Sequence, residues 1–292
     1  MPKLTILTPT YNRLSKLKQL YKSLINQTCF DFQWLVIDDG STDNTIDFFN
    51  DIIKKSPFLI QYKYKENGGK YTAINYAAPY VKGKYFTIVD SDDFLANDAV
   101  DYILRMWDKY NSDSNIGGIT FQRGNVNGKP LDNSVVGEYV STFSEAINNG
   151  MHSDHFETVR SDLFKKFHFP VFKNEKFIAE GAMWYLITRD YKVVYSNKVL
   201  YYCEYLDDGY TRRGKKLQLE NPRGSRWHAQ ILLDNEKFKF SIRYKQAILF
   251  CIYNKWLKNN FFETIKKDNN KKYLLLAWLP ANMIYFIWKR KY

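Results

Sequence analysis

The sequence is poor in the residues that build cross-linked or zinc-bound domains. It has only three cysteines in 292 residues, and they stand far apart at Cys29, Cys203 and Cys251. There is no CxxC pair, and the four histidines show no metal-ligand spacing. The pattern therefore indicates neither a disulfide framework nor a structural zinc site. A reducing, cytoplasmic environment is the expectation.

Long apolar runs are also scarce. Residues 1–13 lack the basic region and the apolar stretch of a secretory signal peptide. The uncharged stretch "YLLLAWLPANMIYFIW" (Tyr273–Trp288) has sixteen residues and contains Pro280 and Asn282. A helix that spans a bilayer needs about 20 apolar residues. The stretch is therefore too short for a typical membrane span.

Charge, in contrast, is unevenly distributed. The formal net charge is +12, and the whole excess lies in residues 215–292, which carry 17 basic and 5 acidic residues. An excess of this kind indicates an anionic partner. No nucleic-acid-binding motif accompanies it, so a nucleic-acid partner is not expected.

The aromatic side chains of residues 215–292 indicate which kind of anionic partner this region binds. In Ala247–Phe262 and Tyr273–Trp288 they lie beside lysines and arginines, a combination typical of segments in the headgroup layer of a membrane. We therefore expect residues 215–292 to form a helical region that binds an anionic membrane surface. The alternative is that Tyr273–Trp288 forms a helix of the core.

The first two-thirds of the chain alternate between apolar runs and apolar residues at helical spacing. Strands are predicted at Leu4–Thr8, Gln33–Asp38, Leu59–Lys65, Tyr85–Val89 and Gly118–Gln122. The alternation predicts an α/β fold with a mostly parallel sheet. Because ligands of such sheets bind outside the carboxyl ends of the strands, the residues that follow each strand are the candidate site.

The turn after the first strand contains no glycine. A dinucleotide-binding fold would have a glycine-rich turn here, but the sequence reads "TPTYNR". The second strand is followed by "DDGSTDNT", in which a strand, a turn and a helix cap account for the residues after Gly40. They do not account for two adjacent carboxylates, Asp38 and Asp39. A carboxylate there can accept a hydrogen bond from a ligand N–H, such as the imide of uracil.

The third strand is followed by "ENGGKYTAIN", in which Lys70 stands at the start of a predicted helix. Backbone amides, a helix N-terminus and a lysine together suit a phosphate, although turns of this kind also precede ordinary helices.

The fourth strand ends in three carboxylates, Asp90, Asp92 and Asp93, in "YFTIVDSDDFL". Like charges this close repel each other unless a cation joins them or they bind protons. Mg²⁺ and Mn²⁺ take oxygen ligands, and Mg²⁺ typically combines one or two carboxylates with substrate phosphates. The pattern predicts a divalent cation; the alternative is an acidic turn that caps a helix at Asn97.

The four segments together, in this order and spacing, resemble family 2 glycosyltransferases of the GT-A fold. The resemblance covers residues 1–125 closely and 126–210 more loosely. It implies a GT-A catalytic domain over 1–214, with a nucleotide-sugar half (1–125) and an acceptor half (126–214), followed by the helical region 215–292.

The resemblance also implies roles for individual residues. Pro9, Thr10 and Tyr11 would wall the nucleoside, and Asp39 would bind the uracil. Asp90 would lie near the ribose, and Asp92 would hold Mn²⁺ or Mg²⁺ on the diphosphate. The other implied donor-binding residues are Arg13, Asn67, Gly69, Lys70, Ser91 and Arg212. For Arg212, a mobile loop that meets the diphosphate and a solvated basic connector are both open.

Inverting members of the family use a carboxylate as general base, often in a Glu-Asp pair at the start of a helix. Glu180 stands at this place, but Gly181 follows it, so the pair is incomplete. By resemblance to bacterial members with a single carboxylate, Glu180 would take the proton of the acceptor hydroxyl. The alternative is a glutamate that the helix dipole favours.

The expected function is therefore an inverting transfer from a UDP-sugar to a glycan acceptor. The basic tail suggests a lipid-linked acceptor at the inner face of the cell membrane, as in bacterial capsule, exopolysaccharide or cell-wall polymer synthesis. One alternative is a sugar-nucleotide nucleotidyltransferase, which needs a glycine-rich Arg-Lys loop that "TPTYNR" lacks. Another is a non-enzymatic nucleotide-sugar-binding membrane protein, which would not need the carboxylates at residues 90–93.

Overall fold

The computed structural model describes residues 1–132, 134–151, 154–203 and 210–292, apart from the side chains of 210–213. Within these residues the chain forms nine strands and twelve α-helices. The strands are β1 (Leu4–Thr10), β2 (Phe32–Asp38), β3 (Leu59–Tyr64), β4 (Tyr85–Ile88), β5 (Phe94–Leu95), β6 (Ile116–Asn125), β7 (Glu138–Ser141), β8 (His155–Arg160) and β9 (Lys192–Cys203).

Each of the first three strands is followed by a helix. The helices are α1 (Leu14–Ile25), α2 (Thr45–Ile52), α3 (Lys70–Ala77), α4 (Ala99–Lys109), α5 (Phe143–Asn148), α6 (Ser161–Phe164), α7 (Gly181–Thr188), α8 (Tyr210–Glu220), α9 (Pro222–Leu233), α10 (Phe240–Trp256), α11 (Phe261–Lys267) and α12 (Lys271–Lys291).

All nine strands belong to one mixed sheet. Its order is β3-β2-β1-β4-β8-β6-β9-β5, and β7 pairs with β9. Strands β1 to β4 run parallel to one another, whereas β8 is antiparallel to both β4 and β6. The five predicted strands correspond to β1, β2, β3, β4 and β6, so the predicted α/β alternation is confirmed.

Strands β1 and β2 are buried along their whole length, because helices cover both faces of the sheet there. On one face, α1, α2 and α4 pack their apolar stripes into a shared core with side chains such as Ile6 and Trp34. Tyr21 of α1 stacks on Trp34, with 5.9 Å between the ring centroids. Helix α3 packs against β1 and β2.

The chain divides into two compact units. The first consists of Met1–Ala146, Gly150–Phe169 and Trp184–Glu204, and it holds the sheet. The second consists of Ile147–Asn149, Pro170–Met183 and Tyr205–Tyr292. The division predicted from the sequence, at residue 214, stays a prediction.

The second unit has a hydrophobic core of its own. Helices α9, α10 and α12 supply most of it, and α12 contributes Leu274, Ala277 and Ala281. One face of α12 is therefore part of a core. No helix among the described residues is both long and apolar enough to cross a membrane.

Candidate active site

The strand order brings the four predicted segments to one edge of the first unit. Thr10 at the end of β1 lies beside Asp38 at the end of β2, which lies beside Tyr64 at the end of β3. After β4, the Val89 amide donates to the carbonyl of Leu7 on β1 at 2.9 Å. We call the residues that follow these strands (9–13, 38–43, 65–70 and 89–93) the carboxyl edge.

Polar side chains shape the first turn of the carboxyl edge, which explains why it contains no glycine. Asn12 adopts a positive φ of 51°, a conformation that asparagine tolerates better than most residues. The backbone amide of Asn12 donates to Ser41 Oγ at 2.9 Å, and its side-chain Oδ1 accepts from the backbone amide of Thr42 at 2.7 Å. The turn after β1 is thus fastened to the turn after β2.

The first of the two adjacent carboxylates supports this turn. Asp38 accepts hydrogen bonds from the Ser41 amide at 2.7 Å and from the Tyr62 hydroxyl at 2.6 Å. It is buried, and both of its oxygens have partners within the protein. Its role in the structure is to hold the β2–α2 turn.

The second carboxylate, Asp39, organises the turn between β3 and α3. Its oxygens accept from Lys65 Nζ at 2.6 Å and from the backbone amides of Gly68 at 3.0 Å and Gly69 at 2.7 Å. The Asn67 side-chain amide donates to it at 3.3 Å and to its carbonyl at 2.7 Å. The Asp39 side chain is only 5% exposed. The predicted uracil contact stays a prediction, and the observed role of this carboxylate is to fix the Gly68-Gly69 turn.

Lys70, at the first position of α3, forms an ion pair with Asp90 after β4. The Lys70 Nζ and Asp90 Oδ1 atoms are 2.5 Å apart, and the two side chains are 23% and 29% exposed. Burial raises the pKa of Asp90, but the charges of Lys70 and Arg123 outweigh it and hold the pKa below its ordinary value. Asp90 is therefore a carboxylate at neutral pH.

The three acidic residues after β4 do not share one environment. Asp93 is buried and accepts a hydrogen bond from the Tyr201 hydroxyl at 2.6 Å. Burial, and then the charge of Asp90, raises the pKa of Asp93 to about 7. The Asp90 amide donates to the same tyrosine oxygen at 3.1 Å. Asp93 thus has a structural role, because its hydrogen bond with Tyr201 supports the carboxyl edge.

Asp92 lies between Asp90 and Asp93 in the sequence, and its side chain is half-buried. Burial, followed by the charge of Asp90, raises its pKa. Positive charge opposes this shift, because Arg13 and Lys70 lower the pKa. A cation beside Asp92 would act in the same direction.

This donor set fits a hard divalent cation that completes its shell with substrate oxygens. The described residues include no group of three or more His, Cys, Asp or Glu side chains that could hold a metal ion by themselves. Mg²⁺ is commonly held by one or two carboxylates and by substrate phosphates. Asp92 would hold such an ion, with Asp90 close by.

The remaining predicted donor residues line the same edge in different ways. Pro9 and Thr10 are buried at the end of β1, whereas Tyr11 is 48% exposed. Arg13 is half-buried, and Ser91 is buried. The side chain of Arg212 lies outside the described residues.

Glu180 lies in the second unit and begins the first turn of α7, where its carbonyl accepts from the Met183 amide at 2.8 Å. Its side chain is half-buried. A Cβ on Gly181 would come within 3.5 Å of His228 Nε2, so this imidazole faces the start of α7. Burial lowers the pKa of His228 to about 4, so the imidazole is neutral at pH 7.

A buried carboxylate holds the segment that leads to Glu180. Glu175 accepts hydrogen bonds from the amides of Arg223 at 2.9 Å and Gly224 at 2.8 Å, in the first turn of α9. Asn221 Oδ1 accepts from the amides of Lys176 at 2.8 Å and Phe177 at 3.1 Å. The segment before Glu180 is thus tied to the N-terminus of α9.

The sequence did not reveal four supporting residues of these sites. Tyr201 and Arg123 lie under the acidic residues, with the guanidinium 4.6 Å from the tyrosine ring centroid. Lys65 pairs with Asp39, and Glu175 caps α9. Each partner is distant in sequence and belongs to no motif, so only the arrangement of the strands and helices could identify it.

Comparison with known proteins assigns the family. The family model described as "Glycosyl transferase family 2" matches residues 5–167, more than half of the chain. The chain belongs to glycosyl transferase family 2. The matched region contains the whole carboxyl edge.

A relative of known name is similar to part of this chain. The chain is 36% identical over 105 residues to the chondroitin synthase of Pasteurella multocida (strain Pm70), which is 36% of this chain and 11% of that protein. The chain thus spans only a small part of that relative.

Two solved structures show the same fold over almost the whole chain. TarS 1–349 of S. aureus, in complex with UDP-GlcNAc, matches with a TM-score of 0.63 and 18% identity over 97% of this chain and 80% of that chain. The mannosyltransferase PcManGT from Pyrobaculum calidifontis, in complex with GDP-Man and Mn²⁺, matches with a TM-score of 0.59 and 16% identity over 98% of this chain and 83% of that chain. The predicted fold class, a GT-A domain with added C-terminal helices, is confirmed.

Proposed function

We propose that this family 2 glycosyltransferase moves a sugar, a hexose or N-acetylhexosamine, from a UDP-sugar to a glycan acceptor with inversion at the anomeric carbon. The observation that carries the proposal is the carboxyl edge, where Lys70, Asp90 and Asp92 lie beside the turn that Asp39 fixes. A fold match to a protein bound to UDP-GlcNAc supports UDP as the nucleotide.

The donor would lie along this edge. Pro9, Thr10 and Tyr11 would wall the nucleoside, with Asp39 and Asp90 toward the uracil and the ribose. The N-terminus of α3, which begins directly after the Gly68-Gly69 turn, suits the diphosphate. Lys70, now paired with Asp90, would add a positive charge there.

Asp92 would hold Mn²⁺ or Mg²⁺ together with diphosphate oxygens, and the ion would neutralise charge on the leaving diphosphate. The match to a Mn²⁺-bound neighbour supports this choice of cofactor.

Glu180 would act as the general base. Its carboxylate takes the proton from the acceptor hydroxyl as that oxygen forms a bond with the anomeric carbon. The bond between that carbon and the phosphate oxygen breaks, and UDP leaves with the electron pair. A single displacement of this kind inverts the configuration, and Lys70 stabilises the negative charge that develops on the diphosphate.

The acceptor is proposed to be a lipid-linked saccharide in bacterial capsule, exopolysaccharide or cell-wall polymer synthesis, at the inner face of the cell membrane. The similarity to a chondroitin synthase supports a polysaccharide product. The net charge of residues 215–292 supports a membrane location. The glycine-free turn at Asn12 favours transfer over a nucleotidyltransferase. The carboxylates at residues 90–93 and the family match favour it over a non-enzymatic binding protein.

A panel of UDP-sugars tests the proposal. We expect one of them to release UDP in the presence of Mn²⁺ without an acceptor, and we expect EDTA to stop the release. Asp92→Asn should abolish it, whereas Asp101→Asn, on the exposed side of α4, should not change it. Release that is insensitive to EDTA, or full activity of Asp92→Asn, would contradict the metal assignment. If no UDP-sugar is turned over with or without an acceptor, the donor assignment is wrong.

A further inference from the structure

Helix α12 has two apolar faces. The inner face, with Leu274, Ala277 and Ala281, lies in the core of the second unit. The opposite face is also apolar, and its large side chains are between 57% and 63% exposed. We call this set the outer face: Leu275, Leu276, Leu279, Met283, Phe286 and Ile287.

The outer face is a continuous stripe and not a scatter of single exposed residues. The spacing of Leu275, Leu279, Met283 and Phe286 repeats every three or four residues, which places them on one side of a helix. A continuous apolar stripe of this length that faces water is unfavourable in free energy, and patches of this kind mark interaction sites.

Positive charges close both ends of the stripe. Lys272 and Arg290 are separated by about five helical turns, so they point to the same side as the outer face. Helix α12 carries no acidic residue, and its last turn contains Lys289, Arg290 and Lys291. The outer face thus combines an apolar centre with cationic ends.

An open depression of about 400 Å³ lies at the C-terminal end of the stripe. Phe286 and Ile287 form its apolar lining, and Arg290 and Lys291 supply two cations. Its chemistry suits a molecule that is apolar at one end and anionic at the other.

The helix is built to stay in place with this face outward. Pro280 lacks an N–H and so leaves the Leu276 carbonyl without its helical donor. The Tyr244 hydroxyl of α10 donates to that carbonyl at 3.4 Å. Lys255 of α10 contacts Asn282 and lies 4.5 Å from the Phe286 ring centroid. These contacts hold α12 against α10 along the turns that bear the stripe.

We propose that the outer face of α12 docks on the surface of an anionic lipid bilayer, with the helix parallel to the membrane plane. The apolar side chains enter the acyl boundary, and Lys272 and Arg290 meet lipid phosphates. This deepens the membrane part of the proposed function and is independent of sugar transfer.

Charge favours lipid over a second copy of this chain. Two outer faces laid together bring Lys272 against Lys272 in a parallel pair and against Arg290 in an antiparallel pair. Both arrangements place positive charge on positive charge, which opposes association. An anionic bilayer instead offers opposite charge at both ends.

Flotation of the full-length protein with vesicles tests the proposal. We expect it to float with vesicles of phosphatidylcholine and phosphatidylglycerol. Leu279→Glu with Met283→Glu should weaken partitioning by at least about tenfold, because two exposed apolar anchors are lost. Ile46→Glu, at an exposed position of α2, is the matched control and should float as the wild type does.

A second variant tests the charges without touching apolar side chains. Lys272→Gln with Arg290→Gln should weaken binding about fivefold for each charge removed, and added salt should reduce the difference. UDP binding in vesicle-free solution should be unchanged in all variants, so a wrong donor assignment does not affect this test.

Three results would overturn the proposal. The first is a wild-type protein that does not float with anionic vesicles. The second is a Leu279→Glu, Met283→Glu variant that floats as well as the wild type. The third is a wild-type dimer in solution that this variant dissociates, since the outer face would then be an interface between copies.

Discussion

The carboxyl edge of the first unit and the outer face of α12 in the second unit depart from the usual distribution of residues in opposite ways. At the carboxyl edge, charged groups are withdrawn from water: the Asp39 and Lys65 side chains are 5% and 16% exposed. On α12, large apolar side chains face water. Each departure costs free energy in the isolated protein. We therefore propose that the first region binds a phosphate-bearing ligand and that the second binds a membrane with an apolar interior and an anionic surface.

The substitution Glu180→Gln tests whether the second unit also contributes chemistry. We expect the kcat of transfer to fall by roughly 10²–10⁴, the usual contribution of a general base. The affinity for UDP should not change, because Glu180 is not one of the proposed donor-binding residues. Steady-state kinetics together with calorimetric titration of UDP separates the two quantities. Lost UDP affinity with normal transfer would assign Glu180 a structural role.

The substitution Asp39→Ala tests how firmly the carboxyl edge is held. It removes acceptors from two backbone amides and leaves Lys65 as a buried charge without its partner, so we expect a loss of about 3–5 kcal/mol in unfolding free energy. Asp101→Ala is the matched control, because its pair with Arg105 is exposed and contributes less than about 1 kcal/mol. Urea denaturation measures both. Equal stability losses in the two variants would show that the Asp39 network is not structural.

The pH dependence of stability tests whether the folded second unit shields the His228 imidazole from water, as the carboxyl edge shields Asp39. Its pKa in the folded protein is lowered to about 4 by burial, below the ordinary value of 6.5. Folding therefore favours the neutral form. This contribution to stability is fully present above pH 6.5 and is lost progressively as the pH falls from 6.5 to 4, because the unfolded chain binds its proton first. We expect His228→Gln to remove roughly 3 kcal/mol of the stability change between these pH values. An unchanged pH profile would mean that the imidazole is solvated.

In both regions, the features that depend on residues close together in the sequence could be predicted. The five strands and the position of the carboxyl edge follow from apolar periodicity and from the rule for parallel sheets. The proposal that residues 215–292 bind a membrane rests on their composition. The metal role of Asp92 stays a prediction. The acidic pattern alone does not distinguish the environments of Asp92 and Asp93, because the Asp93 environment depends on Tyr201, more than a hundred residues away.

The sequence also left open whether Tyr273–Trp288 belongs to a core or faces a membrane. The structure shows why this could not be decided. Leu274, Ala277 and Ala281 pack in the core, while the outer face stays exposed. A truncation before α12 would therefore remove core residues and the outer face together. Substitutions on the outer face alone are the sharper test of membrane binding.

The central claim is that the carboxyl edge binds UDP and a divalent cation as one unit. Calorimetric titration of UDP with and without Mn²⁺, on the wild type and on Asp92→Asn, tests it most directly. We expect Mn²⁺ to strengthen UDP binding by the wild type about tenfold or more and to leave the Asp92→Asn variant unchanged. Equal strengthening in both proteins, or UDP binding that does not respond to Mn²⁺ in the wild type, would contradict the account.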